Sequence, residues 1–262
     1  MAPKYINKLQ GKRVVIVGGT SGIGFATAEA AVEYGAIVVV ASSKQENVDK
    51  AVERIQQAYP DAGDRIRGKT VDLSADDIEE QIVALFDFAT EGGKHKLDHI
   101  VDTAGDFWRP TPLSEATRES IVEPMKIRTT GTVMLAKVAL KYLATTPESS
   151  FTTTGGVMDT KPLPGLSVFA PVGAARKGLT YALALDMKPI RVNCVCPGAV
   201  KTEMFDHFGA DRLDEILEVF RSKTLLNRVG APEDLAECYI SVMKNNFQTG
   251  SLIYAHGGYF LV

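Results

Sequence analysis

The stretch 14–24, VVIVGGTSGIG, constrains this chain more than any other. Val14, Val15, Ile16 and Val17 are consecutive β-branched apolar residues, the composition of a strand buried on both faces inside a parallel sheet. Gly18 and Gly19 break the run into a turn, and Gly22, Ile23 and Gly24 open an apolar-periodic helix over 25–34. A strand, a glycine turn and a helix start make a phosphate cradle. Glycines let a pyrophosphate approach the backbone, and the first N–H groups of the helix point at it with a favourable dipole. Gly18, Thr20, Ser21, Gly22 and Ile23 are the residues such a cradle uses. An ordinary tight turn is the alternative, but here the motif has its required context on both sides.

The remainder keeps the same alternation. Strands are predicted at 37–41, 66–71, 97–101, 151–154, 190–195 and 252–255. Helices are predicted at 44–59, from a Ser74/Asp77 cap to 88, at 125–143 with its register broken upstream by Pro124, and from the stiff KPLPG loop (161–165) to Pro189. With no repeat and no break in composition, the expectation is one α/β domain over 1–262. It is a doubly wound, seven-stranded parallel sheet with helices on both faces, and the polar stretch 200–222 is its mobile substrate segment. A net charge of −3 without a basic block argues against nucleic acid and against a membrane surface. No apolar run approaches the roughly 18 residues that span a bilayer, and the polar N-terminus does not resemble a signal peptide. Cys194, Cys196 and Cys238 lack metal-ligand company and read as free thiols in a reducing, cytoplasmic compartment, with no metal site.

Several motifs stand in one order: VGGTSGIG at the first turn, VDL at Asp72, TAG at Thr103 and IRVNCVCPGAVKTE over 190–203. Together they resemble the short-chain dehydrogenase/reductase family over nearly the whole chain. QTGSLIYAHGG over 248–258 is similar to the family's terminal motif, with His256 at the usual Asp position. The resemblance implies a dinucleotide cofactor. Asp72 and Leu73 would lie near its adenine, Thr103, Ala104, Gly105 and Thr154 along its path, and Pro197, Gly198, Val200 and Thr202 near its nicotinamide. A carboxylate after the second strand would bind the ribose 2′-OH and repel a 2′-phosphate. Ser42, Ser43 and Lys44 offer two hydroxyls and a cation there instead, with no acid before Glu46, which favours NADP over NAD. A solvated helix cap beside a surface lysine is the plainer meaning of the same three residues.

The departures from the family carry more information than the matches. Its chemistry normally rests on an Asn, a Ser and a Tyr-x-x-x-Lys. Aligned on 178–193, this chain has Phe169 at the Tyr, Gly173 at the Lys, Gly156 at the Ser and Arg128 at the Asn. Tyr181 is no substitute, because Leu185 follows it at the Lys spacing. Hydride addition to a ketone creates an alkoxide that the Tyr protonates and the Ser holds, and loss of the donor costs about 10²–10⁴-fold. An iminium substrate needs no such acid, since hydride converts it directly to a neutral amine. It needs a nearby negative charge, and Asp106, just after the TAG turn at a strand end, is the candidate. A turn or capping acid is its plainer role. Arg128 is placed to pair with Asp106 or to hold the cofactor in place of the missing Lys, with a structural ion pair as the alternative. Asp159 and Lys161 follow the fifth strand within reach of the same pocket.

TAGD, the Arg in the Asn slot, TTTGG and the P-x-P-G loop give a narrower resemblance. They look like the fungal short-chain reductases that also act as Diels–Alderases in bicyclo[2.2.2]diazaoctane indole alkaloid pathways. Those enzymes use NADPH to reduce an iminium-type intermediate that then cyclises, and their Asp and Arg carry over to Asp106 and Arg128. They have an Asp where this chain has Leu163 and a Trp where it has Leu166. The resulting reading is an NADPH-dependent reductase of an imine, iminium or similarly activated substrate in secondary metabolism, with a templated cyclisation as a further role. Phe107, Trp108, Phe169 and the segment 204–208 would wall in a bulky apolar ligand. A redox-silent cyclase and a non-catalytic NADP-binding pseudoenzyme are the alternatives. Apolar helix faces at 134–143 and 179–185 suggest a homo-oligomer, a dimer or tetramer.

Overall fold

The computed structural model describes residues 4–106 and 110–262. Seven strands, β1 (Arg13–Val17), β2 (Ile37–Ser42), β3 (Ile66–Thr70), β4 (His99–Asp102), β5 (Ser150–Thr154), β6 (Arg191–Pro197) and β7 (Ser251–Ala255), form one parallel sheet. Their order is β3-β2-β1-β4-β5-β6-β7, the doubly wound arrangement expected. On β1, Val15 and Val17 face one core with Phe86, Leu135 and Phe151. Val14 and Ile16 face the other with Ala28, Ala31 and Ile240. Burial on both faces is why this strand reads as an unbroken apolar run. The order reverses between β1 and β4, and a crevice opens there beyond the strands' carboxyl ends.

The helices are α1 (Gly22–Glu33), α2 (Gln45–Ala58), α3 (Ile78–Thr90), α4 (Arg118–Met125), α5 (Thr132–Tyr142), α6 (Ala170–Asp186), α7 (Ala210–Arg221) and α8 (Pro232–Lys244). Three details correct the sequence reading. The helix expected at 125–143 begins earlier, as α4, and accommodates Pro124 within its last turn. It then widens into a π-helical stretch, Lys126–Gly131, before α5. Ser74 does not cap α3, whose N-cap is Asp77; the Ser74 hydroxyl and N–H both donate to Asp72 Oδ1, at 2.6 and 2.8 Å, and close a turn. Helix α8, absent from the sequence reading, packs against α1. Its signal was present: Pro232 at the first helical position, acids in the first turn, and Lys244 in the last.

The Arg191 of the IRVN motif explains its presence by what it joins. Buried, its guanidinium donates to the carbonyls of Pro147, Glu148, Val242, Met243 and Gln248, tying the approach to β5 and the end of α8 onto β6. Cys194 and Cys196 are buried with Sγ atoms 3.7 Å apart, and all three cysteines are free thiols. Among the described residues no helix is long and apolar enough to cross a membrane.

His99, at the start of β4, is 2 % exposed and its Nδ1 lies 2.9 Å from Ser150 Oγ. Burial, reinforced by the Arg191 charge, pushes its pKa from 6.5 down to about 3. The unfolded chain therefore takes up this proton first. Stability from this group is complete above pH 6.5 and is lost as pH falls through the window down to about 3. Between pH 7 and 4.5 the loss should reach about 2–3 kcal/mol. Urea midpoints for the parent and for His99→Gln at the two pH values should show a shallower acid dependence in the variant.

Candidate active site

The crevice holds a cavity of about 590 Å³. Its phosphate end is built by close backbone contact. Gly18 adopts a φ of +81°, and a Cβ there would lie 2.7 Å from both Ala104 N and Thr103 Oγ1. A Cβ at Gly24 would lie 2.2 Å from Gly18 O. The first turn, the start of α1 and the TAG turn are thus in direct contact, and Thr103 Oγ1 donates to Val17 O at 3.0 Å to hold them. A glycine-lined cradle at a helix start fits a dinucleotide pyrophosphate.

Gly18, Thr20, Ser21, Gly22, Ile23, Ser42, Ser43, Asp72, Leu73, Thr103, Ala104, Gly105, Asp106, Arg128, Thr154, Pro197, Gly198, Val200 and Thr202 all line this cavity. Lys44 does not. It caps α2 in solvent near Glu46, and Asn47, one turn on, takes the place in the wall. Glu203, next to Thr202, has its Oε2 accepting from Gly22 N at 2.9 Å, so a carboxylate already sits at the α1 N-terminus. His256, at the usual Asp position of the terminal motif, has its backbone against Gly198: a Cβ on that glycine would lie 2.8 Å from His256 Cα.

The TAG turn is fixed from below by Asp102. This fully buried carboxylate accepts from Thr132 Oγ1 at 2.7 Å, from Arg176 Nη1 at 2.8 Å and from Ala104 N at 3.1 Å. Arg176 is 2 % exposed and also donates to Ala104 O at 3.3 Å. Above the turn, the Arg128 guanidinium lies across Gly105, where a Cβ would meet its Cζ at 2.3 Å. Its Nη2 donates to the main-chain carbonyl of Asp106 at 2.8 Å. The expected link between Asp106 and Arg128 therefore exists, but through the Asp106 backbone, which leaves the carboxylate at the exposed rim. Burial first, and then the like charge of Arg176, hold the Arg128 pKa down to about 10, so it remains a cation at neutral pH.

Arg128 Cζ stands 5.4 Å from the centre of the Phe169 ring. One helical turn on, Gly173 faces Asp159: a Cβ at Gly173 would lie 3.2 Å from Asp159 Cβ. One turn further, Lys177 Nζ pairs with Asp159 Oδ2 at 2.7 Å. Nothing lies within 4 Å of a Cβ built on Gly156, so the wall offers no hydroxyl there. Lys161 turns away and donates to the carbonyls of Tyr259, at 2.9 Å, and Val262. Leu163, Leu166, Phe169, Met204, Phe205 and Phe208 supply an apolar wall, while Phe107 and Trp108 lie outside the described residues. Sequence reasoning missed Arg176, Glu203 and Asn47. The first two act through partners 74 and 181 residues away, which no local pattern encodes.

These features place the chain. The family model for an SDR-like Rossmann domain matches residues 5–262, and the chain belongs to the short-chain dehydrogenase/reductase family, a family of oxidoreductases. It is 46% identical over 260 residues to the short-chain dehydrogenase/reductase ucsE of Acremonium sp, covering 98% of each chain. The structure of the MalC reductase/Diels–Alderase from Malbranchea aurantiaca superposes with a TM-score of 0.93 at 37% identity, over 99% of this chain and 100% of that one. A short-chain dehydrogenase from Burkholderia cenocepacia in complex with NADP superposes with a TM-score of 0.83 at 28% identity, over 97% and 100%.

Glu203 generates a prediction. A carboxylate at the α1 N-terminus competes with a pyrophosphate for the same N–H groups and opposes its charge. Glu203→Gln should tighten NADPH binding about two- to fivefold, the equivalent of about 0.3–1 kcal/mol. Fluorescence titration of both proteins reads this directly.

Proposed function

We propose that this protein is an NADPH-dependent reductase of a cationic C=N substrate, an iminium or protonated imine carried on a bulky apolar framework, in secondary metabolism. The observation that supports this best is the exchange of charge around the cavity. The hydroxyl and ammonium donors of the ordinary family site are replaced by Phe169, Gly173 and Gly156, while Asp106 and Arg128 meet at the TAG turn. NADPH, when bound, supplies the hydride. The chain's residues then have no alkoxide to protonate. Arg128 buttresses Gly105 and the Asp106 main chain, Asp106 presents its carboxylate to the cation, and Leu163, Leu166, Phe169 and Phe205 exclude water from the apolar body. Solved relatives in complex with NADPH and with NADP support the cofactor.

A second reading, cyclisation within the same cavity, is favoured by the likeness to a reductase/Diels–Alderase and by the apolar wall. Leu163 and Leu166 offer shape and no acid, so any such step rests on confinement. The assembly we propose is a homo-oligomer, joined through the exposed Val133 and Leu140 of α5 and Tyr181 and Leu185 of α6.

NADPH oxidation against a panel of cyclic iminium ions, imines and matched ketones tests the reading: iminium turnover without ketone turnover is expected, and the reverse order would discard it. NADPH should also bind more tightly than NADH, and Ser43→Asp should invert the order through repulsion of the 2′-phosphate. Equal affinities in the parent protein would remove the cofactor argument.

Asp106→Asn keeps size and much of the hydrogen bonding but removes the charge. It should cost about 1.5–3 kcal/mol in kcat/KM for the iminium, roughly tenfold to over a hundredfold. NADPH affinity and melting temperature should stay at parent values. Normal turnover would reduce Asp106 to a turn residue.

A further inference from the structure

One face of α6 carries Phe169, Gly173 and Lys177 at successive helical turns. The first meets Arg128 and the other two meet Asp159. Asp159 leans against the bare backbone of Gly173, with its Cγ 3.4 Å and its Oδ2 3.7 Å from where a Cβ would stand. A side chain at position 173 would compete with Asp159 for this volume, so the glycine gives the carboxylate its place. The volume where a side chain at this position would begin is therefore held by a carboxylate paired with Lys177.

The Asp159 side chain is only 2 % exposed yet forms part of the cavity wall. Its Oδ2 is held by Lys177 Nζ, while Thr160 Oγ1 stands 3.4 Å from Oδ1, a weak contact. A carboxylate accepts about four hydrogen bonds, so Asp159 keeps acceptor capacity beyond these partners. Lys177 is also engaged elsewhere, donating to Thr160 Oγ1 at 2.5 Å and lying 5.1 Å from the centre of the Tyr254 ring. Burial works against its cation, but the hydrogen bonds to Asp159 and Tyr254 outweigh burial and raise its pKa. The other acids of the wall are committed or peripheral: Asp72 to Ser74, Glu203 to Gly22, Asp106 at the rim.

We propose that Asp159 is a specificity-determining residue that selects cationic over neutral ligands by presenting a desolvated carboxylate beside Gly173. This rests on the cation reading of the proposed function and gives it a second, interior anchor. A carboxylate at this depth lowers the energy of a cationic ligand through a poorly screened attraction. It opposes the negative charge that would grow on a carbonyl oxygen. The same residue therefore rewards the iminium and disfavours the ketone.

The test uses binding, so it does not depend on turnover. The permanently charged N-methyl-3,4-dihydroisoquinolinium and the neutral 1-tetralone, similar in shape, are titrated by calorimetry into the full protein saturated with NADP⁺. The parent should bind the cation at least about tenfold more tightly than the ketone. Asp159→Asn, which keeps a hydrogen-bond acceptor for Lys177, should erase most of that ratio while ketone affinity and NADP⁺ affinity hold; its melting temperature should fall, because Lys177 loses its charge partner, so both titrations are run well below it. Lys177→Met should move the ratio the other way, because it strips the carboxylate of its competing cation. A merely structural pair would weaken both ligands alike in both variants. A parent that binds both probes alike or binds neither, or an Asp159→Asn variant that keeps the ratio, overturns the proposal. Failure of the parent to oxidise NADPH with the cation would instead discard the reductase reading and leave the binding ratio as measured.

Discussion

The Asp102 carboxylate is the point on which the site depends. It lies at the end of β4, fully buried, and gathers Thr132 from α5, Arg176 from α6 and the N–H of Ala104 from its own turn. Its main-chain oxygen accepts from Thr154 Oγ1 at 2.9 Å, and Thr154 Oγ1 lies 2.5 Å from the Tyr239 hydroxyl of α8. One residue thus registers elements from both faces of the sheet at the edge where ligands bind. Desolvating two charges is expensive, and such a pair is weak evidence of net stability, whereas removing one partner leaves an unpaired buried charge at about 3–5 kcal/mol. What the pair secures here is geometry. Arg176 is joined both to Asp102 and to the carbonyl of Ala104, so the TAG turn has little freedom to shift.

That fixed turn has a consequence for charge. Arg128 crosses over Gly105 in the only space a glycine leaves, and its guanidinium faces a second buried cation, Arg176, whose repulsion adds to the cost of burial. The two guanidiniums are held in different directions, Arg176 inward to Asp102, with its buried Nε left without a hydrogen-bond partner, and Arg128 outward to the Asp106 carbonyl. The π-helical stretch that carries Arg128 follows Pro124 within two turns, and an inserted residue of this kind re-aims a side chain without ending the helix.

The fold was legible in the sequence because its signals are local and repeated. The β-branched run before Gly18 and the alternation of short apolar runs with helix-period segments both state a buried parallel sheet. Helix α8 escaped although Leu235, Ala236, Tyr239, Ile240 and Met243 keep a regular helical period; its start is marked only by a proline and two acids. The cofactor cradle was equally legible, since glycine positions record where backbone must meet backbone. Three features of the chemistry were not. Asp159 could be named but not oriented, because the loop after β5 has no period, and Gly173 reveals its purpose only when Asp159 is seen against it. Arg176 sits on an otherwise ordinary helix, and its partner is 74 residues away. Lys44 was named for its position after the second strand, and only the structure shows that it stands exposed at the start of α2, beside the lining residues Ser42, Ser43 and Asn47.

Charge placement separates this site from an ordinary ketone reductase more sharply than the loss of any one donor. A conventional site surrounds the reacting oxygen with a hydroxyl, a phenol and an ammonium, all of which stabilise growing negative charge. Here the corresponding volume contains the Phe169 ring, the open face of Gly156 and the Asp159 carboxylate, with Arg128 turned to the backbone. Each replacement alone would weaken ketone reduction. Together they remove three donors from the wall and set the Asp159 carboxylate, paired with Lys177, beside Gly173, and a single restored tyrosine would still act beside that carboxylate in a wall without a hydroxyl at position 156. A cavity that has exchanged its donors for an acid and apolar surface is suited to a ligand whose charge is positive before the reaction and gone after it. Under the proposed reading, release of the neutral product would follow from the same electrostatics that admit the substrate, because attraction to Asp106 and Asp159 would end when the cation is quenched.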